Sequence, residues 1–203
     1  GARSLLESVP VGAVYGSPGA YVSSVTERLD SVLAAKEISM VPLASGDWME
    51  LSRGVGLFVL NPKPGRASSV NDASLVMRMT YGETSFLLTG DAERESERIM
   101  LSEFGSFLRS DVLKVGHHGS STSTHAPFLQ AVNPRFAVLS VALQNRYGLP
   151  DREVFDHLDS IRADVHATSL MGAATYYSDS KKIRKFTHCR ERGLNSGVVN
   201  GCE

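Results

Sequence analysis

Short apolar runs that stop at Gly, Pro or charged turns alternate along this chain with stretches whose apolar residues recur every three or four positions, the pattern of alternating strands and helices. The helical period is clear over Val22 to Lys36, with Val25, Leu29, Val32 and Leu33 on one face, and over Arg152 to Ile161, with Val154, Leu158 and Ile161 inward. It also runs over Ala92 to Phe104, where Ile99, Leu101 and Phe104 are apolar and Glu93, Arg94, Glu95, Glu97 and Arg98 are solvated. His125 to Ala131 reads as a shorter helix. Strands are expected at Ser39 to Leu43, Asp47 to Leu51, Val55 to Leu60, Leu75 to Tyr81, Phe86 to Thr89, Val112 to Val115 and Phe136 to Val141. A loop from Pro62-Lys63-Pro64-Gly65 to Ser74 separates two of them, and Val165 to Thr168 is expected to pair with Ala173 to Tyr177 as a hairpin across Met171-Gly172. The class is α/β.

Two of these strands end in side chains with chemistry. Phe86-Leu87-Leu88-Thr89 stops at Gly90, which can turn sharply, and leaves the Asp91 carboxylate at the strand's rim just ahead of a helix. Asp91 is therefore a metal-ligand candidate and, equally, a helix N-cap. Val112 to Val115 likewise runs through Gly116 into His117-His118-Gly119-Ser120, a pair of imidazoles of the kind that binds zinc or manganese. Adjacent residues on an extended chain face opposite ways, so only one imidazole is expected to enter the site, and His117 is favoured because it leaves the strand first. The other imidazoles, His125, His157 and His166, sit in ordinary helix or strand surroundings and are expected to be structural, as are Trp48, Met77 and Met79.

With 203 residues and 42% hydrophobic content the chain can bury one sizeable core. A net charge of −1 gives no global attraction to nucleic acid, so any DNA contact must be local. There is no apolar run long enough to cross a membrane as a helix and no nucleotide-cofactor fingerprint. Cys189 and Cys202 lie outside any zinc or redox spacing and read as free surface thiols. The domain is expected over residues 1–179, followed by a polar basic tail over 180–203, expected to be disordered, whose Lys181-Lys182-Ile183-Arg184-Lys185 run could touch phosphate.

Several stretches together resemble the metallo-β-lactamase-fold domain at the C-terminal end of ComEC, the competence protein of bacterial DNA uptake. They are Asn71 to Val76, Phe86 to Glu93, Asp111 to Ser123, Val132 to Arg135 with the strand Phe136 to Val141, and Asn145-Arg146-Tyr147-Gly148. The resemblance implies an αββα sandwich with helices outside. It implies two divalent cations, zinc or manganese, with Asp91, His117 and His118 as metal-binding and catalytic residues. Hydrolysis of phosphodiesters in single-stranded DNA would follow, on the extracytoplasmic side of the bacterial cytoplasmic membrane, with attachment through a transmembrane part outside this chain. Lys114, Ser120, Ser121 and Ser123 are candidate phosphate contacts. Asn71 and Asp72 lie where some relatives of the fold place a further ligand, with an Asx-type turn as the plainer role.

Enzymes of this fold resemble one another in a His-x-His-x-Asp-His loop, and no such string occurs here. In the family that loop precedes a helix of the type at Arg3 to Ser8 and a strand like Val11 to Tyr15, so the chain is expected to be N-terminally truncated, to lack the first half of the metal set and to be inactive alone. Leu149-Pro150-Asp151 also stand where the family has His-Pro and a second His. Three functions compete: part of a ComEC-type nuclease domain, a soluble hydrolase of another ester or phosphoester with the same fold, and a degenerate domain that binds DNA or a partner without catalysis.

Overall fold

The computed structural model describes residues 2–17 and 24–188. Helix α1 (Ala2–Ser8), strand β1 (Val14–Gly16), helix α2 (Ser24–Ala35) and strand β2 (Met40–Pro42) come first, and β1 pairs parallel with β2. A central sheet follows: β3 (Trp48–Ser52), β4 (Val55–Asn61), β5 (Val76–Tyr81), β6 (Thr84–Leu88), β7 (Val112–Lys114), β8 (Phe136–Leu139) and β9 (Asp164–Ala167), side by side in sequence order. Pairing is antiparallel from β3 to β6 and parallel from β6 to β9. Helix α3 (Arg94–Phe104) crosses from β6 to β7, α4 (Ala126–Val132) from β7 to β8, and α5 (Arg152–Ser160) from β8 to β9. The α/β expectation holds.

Alternation along the strands separates two faces. Leu60, Leu87, Leu113, Val115, Ala137 and Leu139 turn toward Met100 of α3, Phe128, Leu129 and Val132 of α4, and Val154 and Leu158 of α5, forming one buried core. Full burial of each such aliphatic or aromatic side chain contributes roughly 1.5–3 kcal/mol. On the opposite face Val112 and Phe136 pack with Ile183 and Tyr176.

That second contact corrects two expectations. The segment Asp164–Ala167 does not pair with Ala173 to Tyr177: it joins the sheet parallel to β8, and the short helix α6 (Thr168–Met171) carries the chain away. Strand β10 (Ala173–Ser178) pairs instead with β11 (Ile183–His188), where a polar tail was expected. The basic residues hide this strand in the sequence, since over 183–187 only Ile183 is buried. Lys185 is tied to Asp164 at 2.7 Å and Arg184 lies 3.9 Å from Asp179, so the basic run is already partly paired. Residues 189–203, with Cys189 and Cys202, lie outside the described residues.

Candidate metal centre

Parallel pairing of β6 with β7, in register Leu88↔Lys114, brings their C-terminal ends to the same rim, where ligands bind in open α/β sheets. Gly90 (φ +58) makes the turn after β6, and a Cβ there would meet the Ser74 Cβ at 3.0 Å. The close approach lets the Asp91 N–H donate to Ser74 Oγ at 3.0 Å and the His117 N–H donate to the Gly90 carbonyl at 3.2 Å, lacing the two strand ends together. Helix α3 begins later than expected, with Glu93 rather than Asp91 as its N-cap, so Asp91 is released from capping.

The two histidines are not on extended backbone. Both occupy left-handed conformations, His117 at φ 43, ψ 43 and His118 at φ 55, ψ 21, inside a tight turn that ends at Gly119. The alternation used to choose between them therefore does not apply. His118 Nδ1 donates to the Ser140 carbonyl at 2.6 Å, which fixes the proton on that nitrogen and leaves Nε2 bare, 3.9 Å from Asp91 Oδ1. His117 turns to a different carboxylate: its Nδ1 lies 3.1 Å from Glu93 Oε1 and hydrogen-bonds with Thr122 Oγ1 at 3.2 Å. Asn71 Nδ2 and Thr122 Oγ1 donate to the same Glu93 oxygen at 3.1 and 2.8 Å. The structure thus sets His118, not the favoured His117, against Asp91. Glu93, expected to be merely solvated, is the hub of the second half of the rim. Its spacing of two residues from Asp91 is the available signal, hidden because Ala92 to Phe104 carries the period of one continuous helix.

The remaining candidates serve mostly to hold this rim. Asp72 is 5% exposed and accepts hydrogen bonds from Ser68, Ser69 and both the N–H and hydroxyl of Ser96, so its oxygens brace α3. Ser123 is 1% exposed, with its hydroxyl shared between the Gly116 and Ser120 carbonyls. The buried Ser120 hydroxyl pairs with Thr122, and the Ser121 N–H donates to Asp151 Oδ2 at 2.6 Å, which holds that carboxyl below its ordinary value. Lys114 bends onto the Gly90 and Val115 carbonyls at 3.4 and 3.3 Å. Burial pushes its ammonium down, and the Asp91 carboxylate offsets part of that. Gly119 (φ +85) is required where it stands: a Cβ would lie 2.6 Å from Pro150 Cβ and 2.7 Å from Leu139 Cδ2. A second buried carboxylate, Glu97, takes the N–H groups of Thr124 and His125 and the His125 ring, with Arg94 donating to the far ring nitrogen at 2.7 Å, so His125 is structural as expected.

A separation of 3.9 Å between His118 Nε2 and Asp91 Oδ1 is less than the roughly 4.1 Å that two zinc–ligand bonds laid end to end can span, so one cation can touch both. A third donor is missing: among the described residues no three His, Cys, Asp or Glu side chains are grouped to hold a metal ion. The residues present fit two corners of a metal site and do not close one, and the two-ion set is not formed by them alone.

No family model matches the chain. It is 33% identical over 160 residues to ComE operon protein 3 of Bacillus subtilis, covering 78% of this chain and 20% of that protein. It is 34% identical over 123 residues to competence protein ComA of Neisseria gonorrhoeae, covering 61% and 18%. The chain therefore spans about a fifth of the length of the curated relatives it matches. Among solved structures, the zinc-bound PqqB of Methylobacterium extorquens is similar over 82% of this chain and 66% of its own, at 14% identity and a TM-score of 0.47. Over these aligned stretches the chain is homologous to the ComEC-type competence proteins.

Proposed function

We propose that this chain contributes one side of a metal-dependent phosphodiesterase site acting on single-stranded DNA during uptake, with Asp91 and His118 as donors to a divalent cation, zinc or manganese. The observation that carries the reading is the facing pair itself, a carboxylate and an imidazole whose proton is held on the far nitrogen by Ser140. A cation there would supply hydroxide at neutral pH and neutralise charge on the phosphate. His118 is oriented by Ser140, and His117 is oriented by Glu93 and Thr122, leaving its Nε2 for the substrate or a second donor position. Closure of the site requires donors beyond the described residues, so the isolated chain should bind metal weakly and cleave no DNA. A membrane-anchored setting with the site on the extracytoplasmic side accompanies this reading.

A second reading, a domain that binds DNA without catalysis, is favoured by the absence of a third donor among the described residues and by Leu149. One titration separates them. With Mn²⁺ present, a labelled single-stranded oligonucleotide should bind the chain more tightly, and Asp91→Asn should abolish that gain while folding persists. Binding that ignores both metal and Asp91 overturns the metal-site reading in favour of the second.

A further inference from the structure

Beside His118, between the end of β8 and α6, lies a cavity of about 370 Å³ walled by Ser140, Val141, Tyr147, Leu149 and Thr168. It opens on the same strand-end rim as Asp91, because β8 runs parallel to β7 and leaves the sheet alongside it. The outer wall is the loop 142–149, and Asn145 builds it. The Asn145 amide donates to the carbonyls of Ala142 and Leu149 at 3.2 and 2.8 Å, and its oxygen accepts from the N–H groups of Tyr147 and Leu149 at 3.2 and 3.0 Å. Every hydrogen-bonding position of that side chain is thereby engaged within the loop. The Thr168 hydroxyl is likewise held by Val141 and Leu139, and the Ser140 carbonyl by His118.

What the loop presents outward is different in kind. Tyr147 is 67% exposed and Leu143 73% exposed, so both large side chains stand in water at this rim. The Arg146 guanidinium lies over the Tyr147 ring, 4.8 Å from its centroid, and also donates to the Tyr147 hydroxyl. A fixed aromatic face carrying a cation, next to a cavity whose amide and hydroxyl groups are already engaged, is suited to stacking a flat ring attached to a phosphate. It is poorly equipped to read hydrogen-bonding edges.

We propose that this cavity is a base subsite: Tyr147, backed by Arg146, stacks one unpaired nucleobase of the strand whose neighbouring phosphate lies at His118 and Asp91. The proposal rests on the DNA reading above and adds its selectivity, for single strands over duplexes. A base held in a duplex stack cannot enter the cavity, and the Asn145 side chain and Thr168 hydroxyl of its wall are already engaged.

The test uses the full chain with two labelled oligonucleotides of equal length and equal phosphate charge, a thymidine homopolymer and its abasic counterpart. The thymidine strand should bind about 5- to 150-fold more tightly, the contribution of one stacked base. Tyr147→Ala should remove that difference and Tyr147→Phe should keep it, with circular dichroism confirming that both variants fold. Equal binding of the two strands by the native chain, or a difference that survives Tyr147→Ala, overturns the subsite. If Mn²⁺ still strengthens binding of both strands through Asp91, the subsite alone has failed. If neither strand binds better than inorganic polyphosphate, the DNA reading has failed with it.

Discussion

Replacing Asp72 with alanine separates a bracing role from a substrate-binding one. Asp72 Oδ1 accepts from the Ser96 N–H at 3.2 Å and from the Ser96 hydroxyl at 2.6 Å, while Oδ2 takes the hydroxyls of Ser68 and Ser69. Ser96 is the third residue of α3, whose own N-cap, Glu93, makes no side-chain capping bond, so Asp72 caps the helix from another segment. Losing a cap costs about 1–2 kcal/mol. Leaving the Ser96 hydroxyl, in a residue 2% exposed, with only its longer 3.3 Å bond to the Glu93 carbonyl adds a further cost of about 1–2 kcal/mol. These overlap, and a total of about 2–4 kcal/mol corresponds to a fall in Tm on the order of 5–15 °C for a chain of this size. Burial pushes the Asp72 carboxyl up, but the hydrogen bonds from Ser68, Ser96 and Ser69 outweigh it and hold the native value below the ordinary one. The sign follows: this share of stability is present above the unfolded value near pH 4 and is lost as pH falls through the depressed native value. Calorimetry across acid pH should therefore show the native chain losing stability in a window that Asp72→Ala lacks, while Mn²⁺-dependent DNA binding well below the melting temperature is retained. An unchanged Tm, or lost DNA binding with intact stability, would refute the bracing role.

Two further substitutions probe the rim. His118→Ala should abolish the Mn²⁺-dependent gain in DNA affinity, and His117→Ala should reduce it less, because only His118 Nε2 faces Asp91; the reverse order in the same titration would contradict the geometry. Gly119→Ala forces a Cβ to within 2.6 Å of Pro150 Cβ at a φ of +85°, so urea unfolding should show a loss of about 2–4 kcal/mol, and an unmoved midpoint would show that the turn can adjust.

The sequence by itself determined most of the strands and helices and the two strand ends that carry Asp91 and the histidine pair. Continuous apolar runs and a helical period are local signals, and Gly90 and Gly116 mark where each run stops. The sequence also carried the kinship with ComEC-type proteins through short strings such as His117-His118-Gly119-Ser120. Other features depend on partners distant along the chain. Nothing near Asp72 announces that its oxygens cap a helix 24 residues later. The left-handed backbone at His117 and His118 arises where the turn packs against Pro150 and Leu139, and it decided which imidazole meets Asp91. Ile183–His188 reads as a basic tail until β10 supplies the backbone partners and Phe136 the apolar contact that make it a strand. Local propensity sets elements, whereas the direction of a side chain and the fate of a polar group are set by whatever the fold brings beside them.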